Sequence, residues 1–192
     1  MKHYSQRGKI ATWIFVVGIF VLAALFIGSK YNSFVRQNES VTTQWAQVES
    51  QYQRRLDLIP NLVSSVQGIM KQEQTIFTAL AEARTRYAGA KTTDEKAAAA
   101  TQVESALARL LVVMENYPQL RSADTVQSLM AELSGTENRV SVERMRFNEI
   151  VRDYNVAVKV FPGSIIAQLF GFTPKTPFEA QSGAENAPKV NF

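Results

Sequence analysis

Residues 10–27 form an unbroken run without a single charged side chain: Ile-Ala-Thr-Trp-Ile-Phe-Val-Val-Gly-Ile-Phe-Val-Leu-Ala-Ala-Leu-Phe-Ile. As a helix rising 1.5 Å per residue, such a run is about 27 Å long, close to the hydrocarbon thickness of a bilayer. A helix is the one open-chain form that satisfies its own backbone polar groups in lipid. The run therefore predicts a transmembrane helix over 10–29, preceded by a short basic segment over 1–9. Trp13 falls near one interface and Tyr31 near the other, as in aromatic belts. A cleaved signal peptide has the same basic start, but it needs small residues before its cleavage point. Leu25 and Phe26 after Ala23-Ala24 fit that poorly, and Ile27-Gly28-Ser29 fits only weakly. The run is also longer than an ordinary signal core, so an uncleaved anchor is the expectation.

Charge placement gives the orientation. Lys2, Arg7 and Lys9 precede the run, while Lys30 and Arg36 follow it. The positive-inside rule then puts the N-terminus in the cytoplasm and the rest of the chain outside, by a margin of one residue. From Lys30 onward, 18 basic residues face 17 acids, so the net charge of +4 belongs almost wholly to the N-terminal segment. A near-neutral body lacks the basic stripe that nucleic-acid binding requires. Cysteine is absent and the one histidine is His3, which removes disulfides, thiolate metal sites and His-dependent catalysis from the remainder of the chain.

After the run, apolar residues recur with helical period. Val41, Trp45, Val48, Tyr52 and Leu56 step by four and three, and the stripe continues through Ile59, Leu62, Val66, Ile69, Phe77 and Leu80. Ser29–Ser40 contains no proline and no strong stop, so this helix can continue directly from the span. Pro60 predicts a kink or restart, with Asp57 available as a cap. Gly89–Asp94 predicts a break, and Thr92-Thr-Asp-Glu95 has the spacing of a capping box. The next stripe is Val103, Leu107, Leu110 and Met114, ending at Tyr117-Pro118. A third long helix should start near Ser122–Asp124. Its seam runs Val126, Met130, Leu133, Glu137, Val140, Arg144, Phe147, Val151, Tyr154, Val158, Phe161, a heptad-like pattern with two charged interruptions. Phe161-Pro162-Gly163 ends it, and Ser164 can cap a short helix through Phe170. The expected fold is all-α: a transmembrane helix, an antiparallel bundle of three to four helices over 30–172, and an extended tail over 173–192. The terminal Pro188–Phe192 could dock on the bundle.

The chain contains no phosphate loop, dinucleotide fingerprint or His-Glu-x-x-His motif. Glu137, Asn138, Glu149, Asp153 and Asn155 share one helix with Arg139, Arg144, Arg146 and Arg152, which reads as a salt-bridged helix surface rather than a metal site. The candidate interaction surface is Arg54, Arg55 and Asp57 around Pro60-Asn61. Its structural explanation is that Arg and Asn satisfy backbone groups freed by the proline. Asn61, Asn116, Asn138, Asn148 and Asn155 could pair across helices, Trp45 reads as core, and Gly18 could permit close contact between spans. No catalytic residue, cofactor, metal or small-molecule substrate is expected.

Trp45-x-x-Val48 and Arg54-Arg-Leu-Asp-Leu-Ile-Pro-Asn-Leu-Val63 resemble the signature of the LemA family. The likeness continues through Tyr117-Pro-x-Leu120, Glu137-Asn138, Arg146-Phe-Asn148, Tyr154-Asn155, Phe161-Pro162, Ala167 and Pro188-x-Val-x-Phe192. Phe147 stands where the family often carries tyrosine. The resemblance implies a bacterial membrane protein with one anchor, a long helical bundle and no established enzymatic activity. Two expectations follow. The first is a self-associating, non-enzymatic structural protein of the cell envelope, held in the inner membrane by one span. The second is an adaptor or accessory subunit of another membrane protein, such as a protease or sensor. An enzyme is the least supported.

Overall fold

The computed structural model describes residues 4–178. Among the described residues there is no strand, and six helices follow one another: α1 (Tyr4–Val66), α2 (Gln74–Gly89), α3 (Thr93–Met114), α4 (Pro118–Arg121), α5 (Asp124–Lys159) and α6 (Gly163–Phe170). The all-α expectation holds. The proposed docking of Pro188–Phe192 lies outside the described residues.

α1 is one helix of 63 residues that carries the apolar run straight into the amphipathic stripe. It does not restart at Pro60, which lies inside it, so Asp57 is a helix-interior residue and caps nothing. The continuous stripe predicted through Leu80 is instead divided. The chain leaves α1 after Val66 in a set of turns over 67–73, where the Val66 carbonyl accepts from the Ile69 and Met70 amides at 3.0 Å each. Met70 is fully buried in that turn, while Ile69 is exposed. The apolar period therefore survives the break only because the turn buries its own methionine.

The helices belong to two compact units. One comprises residues 43–149 and 176–178 of the described chain. Its core faces of α1 and α5 are the expected ones: Val48, Tyr52, Leu56, Ile59, Leu62 and Val66 on α1, and Val126, Leu133, Val140 and Phe147 on α5. Each such side chain, fully withdrawn from water, stabilises the fold by about 1.5–3 kcal/mol. α2 and α3, joined by three residues, pack against each other. Ala83, Ala99, Ala100 and Ala106 are buried there, so small side chains let the two backbones approach. The α3 capping box forms as expected. Thr92 Oγ1 accepts from the Glu95 amide at 3.2 Å, and Glu95 Oε2 accepts from the Thr92 amide at 3.1 Å.

The other unit comprises α1 up to Thr42, α5 from Ile150, α6 and the chain to Lys175. Phe34, Val41, Val151, Tyr154, Val158, Ile166 and Ala167 form its core. Gly163 opens α6 against the α5 backbone, where a Cβ would run into the Ala157 carbonyl oxygen and lie 3.2 Å from Phe34 Cζ. α6 begins at Gly163 with Pro162 before it and no side-chain cap, so Ser164 is inside the helix rather than capping it. It ends at Gly171, whose φ of 77° is the left-handed region that glycine adopts without strain. That turn sets Phe172 against Tyr31 and Phe34, at ring-centroid distances of 5.8 and 5.4 Å. Phe161, expected on the α5 seam, lies past the end of α5 and is 75% exposed.

Candidate functional site

Residues 54–61 of α1 turn different faces to different surroundings. Tyr52, Arg55, Leu56 and Ile59 are buried, at spacings of three and four, whereas Arg54, Asp57 and Asn61 are exposed. The five candidate residues therefore do not form one surface. Arg54 meets Glu132 at 3.3 Å, with both side chains about half exposed. Asp57 accepts from Gln53 Nε2 at 2.9 Å, one turn back on the same helix. The Asn61 carbonyl accepts from Ser65 Oγ at 2.8 Å. Pro60 is half-buried within the helix. Both arginines reach carboxylates of α5 rather than backbone groups near the proline.

Arg55 is the member that matters inside. Its guanidinium is almost fully withdrawn from water and pairs with Glu137. Burial lowers its pKa from the ordinary arginine value, and the nearby negative charge of Glu104 opposes that shift. Glu104, on α3, is itself only 10% exposed at its side chain. It accepts from Tyr52 Oη at 2.7 Å and from Arg144 Nη2 at 2.8 Å. Arg144 is likewise shifted down by burial. Of the two charged interruptions of the α5 seam, Arg144 turns inward to Glu104, whereas Glu137 pairs with Arg55 from the rim with its own side chain about half exposed, as a salt-bridged helix surface predicts. Charges this far from water are tolerated only when paired and hydrogen-bonded. Arg55 pairs with Glu137, and Glu104 pairs with Arg144 and Tyr52, so each buried arginine has a carboxylate partner from another helix, while the Nε of each arginine is buried without a hydrogen-bond partner.

Arg144 has a second function. Its guanidinium lies over the ring of Tyr52 at 5.2 Å and over the ring of Phe178 at 5.0 Å. Phe178 sits in an aromatic clasp, stacked on Trp45 at 5.3 Å and edge-on to Phe147 at 5.5 Å. Asn148 completes the clasp by holding the Phe178 backbone at both ends. Its Nδ2 donates to the Phe178 carbonyl at 3.0 Å, and its Oδ1 accepts the Phe178 amide at 2.8 Å. In the other unit Asn155 does the same for Lys175, with Nδ2 donating at 2.8 Å and Oδ1 accepting at 2.7 Å. A carboxamide presents a donor and an acceptor side by side, which is the complement of the N–H and C=O of one residue of extended chain. These asparagines therefore bind the tail backbone instead of pairing across helices.

Tyr87 adds a polar group at a groove of about 580 Å³ lined by Glu49, Gln53, Arg84 and Lys96 among others. Its hydroxyl is buried without a hydrogen-bond partner, and burial, then the charge of Glu49, raises its pKa. Lys96 pairs with Glu49 at the rim. Among the described residues no three His, Cys, Asp or Glu side chains are placed to hold a metal ion. The arrangement is suited to gripping an extended chain segment and to fixing helix register through paired charges. Sequence reasoning missed Glu104 and Phe178. The signals that could have flagged the clasp were the inward-facing Arg144 and the recurrent asparagines.

Residues 44–192 match the model of the LemA family. The chain is 27% identical to the magnetosome protein MamQ of Magnetospirillum gryphiswaldense, over 74% of this chain and 62% of that protein. It is 25% identical to the magnetosome proteins MamQ 1 and MamQ 2 of Paramagnetospirillum magneticum, over 93% of this chain and 76% of each. The chain thus spans somewhat less than two thirds of the length of the first of these relatives.

Proposed function

This chain belongs to the LemA family, and on that premise we propose that it is a non-enzymatic protein of the bacterial inner membrane, anchored by one span, that self-associates to organise the envelope. The observation that carries the reading is the surface of α1 ahead of Tyr31. Trp13, Phe15, Phe20, Leu22 and Leu25 are each about two-thirds exposed or more, with no other part of the described chain over them. Leaving that much apolar surface in water is unfavourable by roughly 25 cal/mol per Å², so lipid is its natural surrounding. The excess of basic residues before the span favours an extracytoplasmic bundle. The relatives are named as magnetosome proteins, a name that points to a structural assembly and is consistent with this reading.

The α5 seam is consumed within the chain, so self-association rests on the anchors. Parallel spans hold near-neutral bodies side by side without strong mutual repulsion. Native mass measurement of full-length protein in mild detergent tests this directly. Discrete multimers are expected, and a strict monomer at high concentration would refute self-association. Recovery of one dominant heterologous membrane protein on crosslinking in cells would favour the adaptor reading instead.

A further inference from the structure

Residues 160–174 read Val-Phe-Pro-Gly-Ser-Ile-Ile-Ala-Gln-Leu-Phe-Gly-Phe-Thr-Pro, fifteen residues without a charge in a chain that is 20% charged, with Lys159 before them and Lys175 after. α6 uses only one face of this segment for packing. Gly163, Ile166 and Ala167 are buried, at helical spacings of three and four. The remaining apolar side chains face outward: Val160, Phe161, Ile165, Leu169 and Phe170 are 56, 75, 60, 71 and 45% exposed. An apolar patch of this kind on a folded surface marks a contact with something else.

The contacts of α6 with α1 say what that is. Gly163 packs at the level of Phe34, and Phe170 meets the ring of Tyr31 edge-on at 5.0 Å. Phe170 therefore lies three residues nearer the apolar run than Gly163, and Tyr31 is only four residues beyond the end of that run at Ile27. Four residues of helix rise about 6 Å, which is within the headgroup layer on either side of the roughly 30 Å hydrocarbon core. The aromatic set Tyr31, Phe170 and Phe172 is placed where membrane proteins concentrate such rings. Lys159 and Lys175 flank the patch, as cations do on helices that lie in a membrane surface rich in anionic lipid.

We propose that α6 and the preceding Phe161 form a second membrane contact, an interfacial patch that enters the lipid surface beside the point where α1 leaves it. The exposed face 161–165–169 is the lipid-facing side, and the face 163–166–167 is the protein-facing side. This rests on the span over 10–27 being embedded, and it adds what a span alone does not supply: a second apolar foot that restricts how the body can tilt about α1.

The chain has no cysteine, so single cysteines can be introduced for spin labelling without a background. Full-length protein carrying Leu169→Cys or Ile165→Cys is labelled in nanodiscs of mixed neutral and anionic phospholipid. Collision with dissolved oxygen, which concentrates in lipid, is compared with collision with a water-soluble nickel chelate. Leu22→Cys reports the span and Ser128→Cys, exposed on α5, reports water. The expected result is that the labels at 169 and 165 resemble that at 22, with oxygen accessibility exceeding nickel accessibility. Labels at 169 and 165 that resemble 128, while 22 reads as lipid, would overturn the proposal and leave the anchor intact. Low accessibility to both reagents would overturn it in favour of a protein cover, such as a second copy. If the label at 22 itself read as water, the anchor and the proposal would fall together.

Discussion

Substitution of Glu104 by alanine removes the centre of the buried network. Glu104 receives hydrogen bonds from Tyr52 Oη and Arg144 Nη2, and its side chain is one-tenth exposed. Breaking a buried pair from one side costs roughly 3–5 kcal/mol, because the surviving charge stays out of water. Arg144 is nearly a quarter exposed, which relieves part of that, while the Tyr52 hydroxyl loses its acceptor at about 1 kcal/mol. The expected loss is therefore about 3 kcal/mol. For a domain of this size that corresponds to a Tm lower by roughly 6–12 °C. The control is Glu132→Ala, which removes the half-exposed partner of Arg54 and should cost about 0–1 kcal/mol. Thermal unfolding of the full-length protein in mild detergent, followed by circular dichroism, compares the two. A double-mutant cycle with Arg144→Met then isolates the pair, with a coupling of about 1–3 kcal/mol expected. Equal Tm shifts for Glu104→Ala and Glu132→Ala, or additive single effects in the cycle, would refute the claim that the interior network holds the helices in register.

Asn155→Ala deletes both hydrogen bonds that hold Lys175, about 2 kcal/mol together, so tryptic cleavage at Lys175 should quicken roughly 30-fold; an unchanged rate would show that the tail is held elsewhere. Gly163→Ala places a methyl against the Ala157 carbonyl and should destabilise by about 1–3 kcal/mol, whereas Gly135→Ala, with open space around it inside α5, should stabilise by up to about 1 kcal/mol; thermal unfolding reads both signs. The Glu95 pKa is held below its usual 4.5 by hydrogen bonds from the Lys91 and Thr92 amides, so its stabilising effect is complete above that value and is lost as pH falls through the lowered folded value. Acid titration of the wild type should therefore show a loss of stability below about pH 4.5 that Glu95→Ala lacks, and identical slopes for the two would refute the cap's contribution.

Local chemistry was sufficient for much of this molecule. An 18-residue stretch without charge, between Lys9 and Lys30, specifies a helix long and apolar enough to cross a bilayer wherever the rest of the chain lies, because lipid offers no partner to an open backbone. The period of the apolar residues specifies helices, and Thr92 and Glu95 specify where α3 starts, since a capping box closes within four residues. The break between α1 and α2 was not legible, because the apolar spacing runs through 67–73 while the backbone does not follow it. The candidate surface around Pro60 was legible as a cluster but not as two faces. Arg54 and Arg55 are neighbours in sequence, yet the helix turns about 100° between them, and only the position of α5 decides that one meets water and the other Glu137.

The same division separates the span from what surrounds it. That residues 10–27 are long and apolar enough to cross a bilayer is a property of their own side chains and does not depend on the tertiary setting. Glu104 meets Arg144 across 40 positions, and Asn148 meets Phe178 across 30. Those partnerships depend on helix register and on where Gly171 redirects the chain, quantities that no local period encodes. Tertiary packing likewise settled that Ile166 and Ala167 are covered while Ile165 and Leu169 are bare, since a segment apolar on every side leaves that choice to its neighbours.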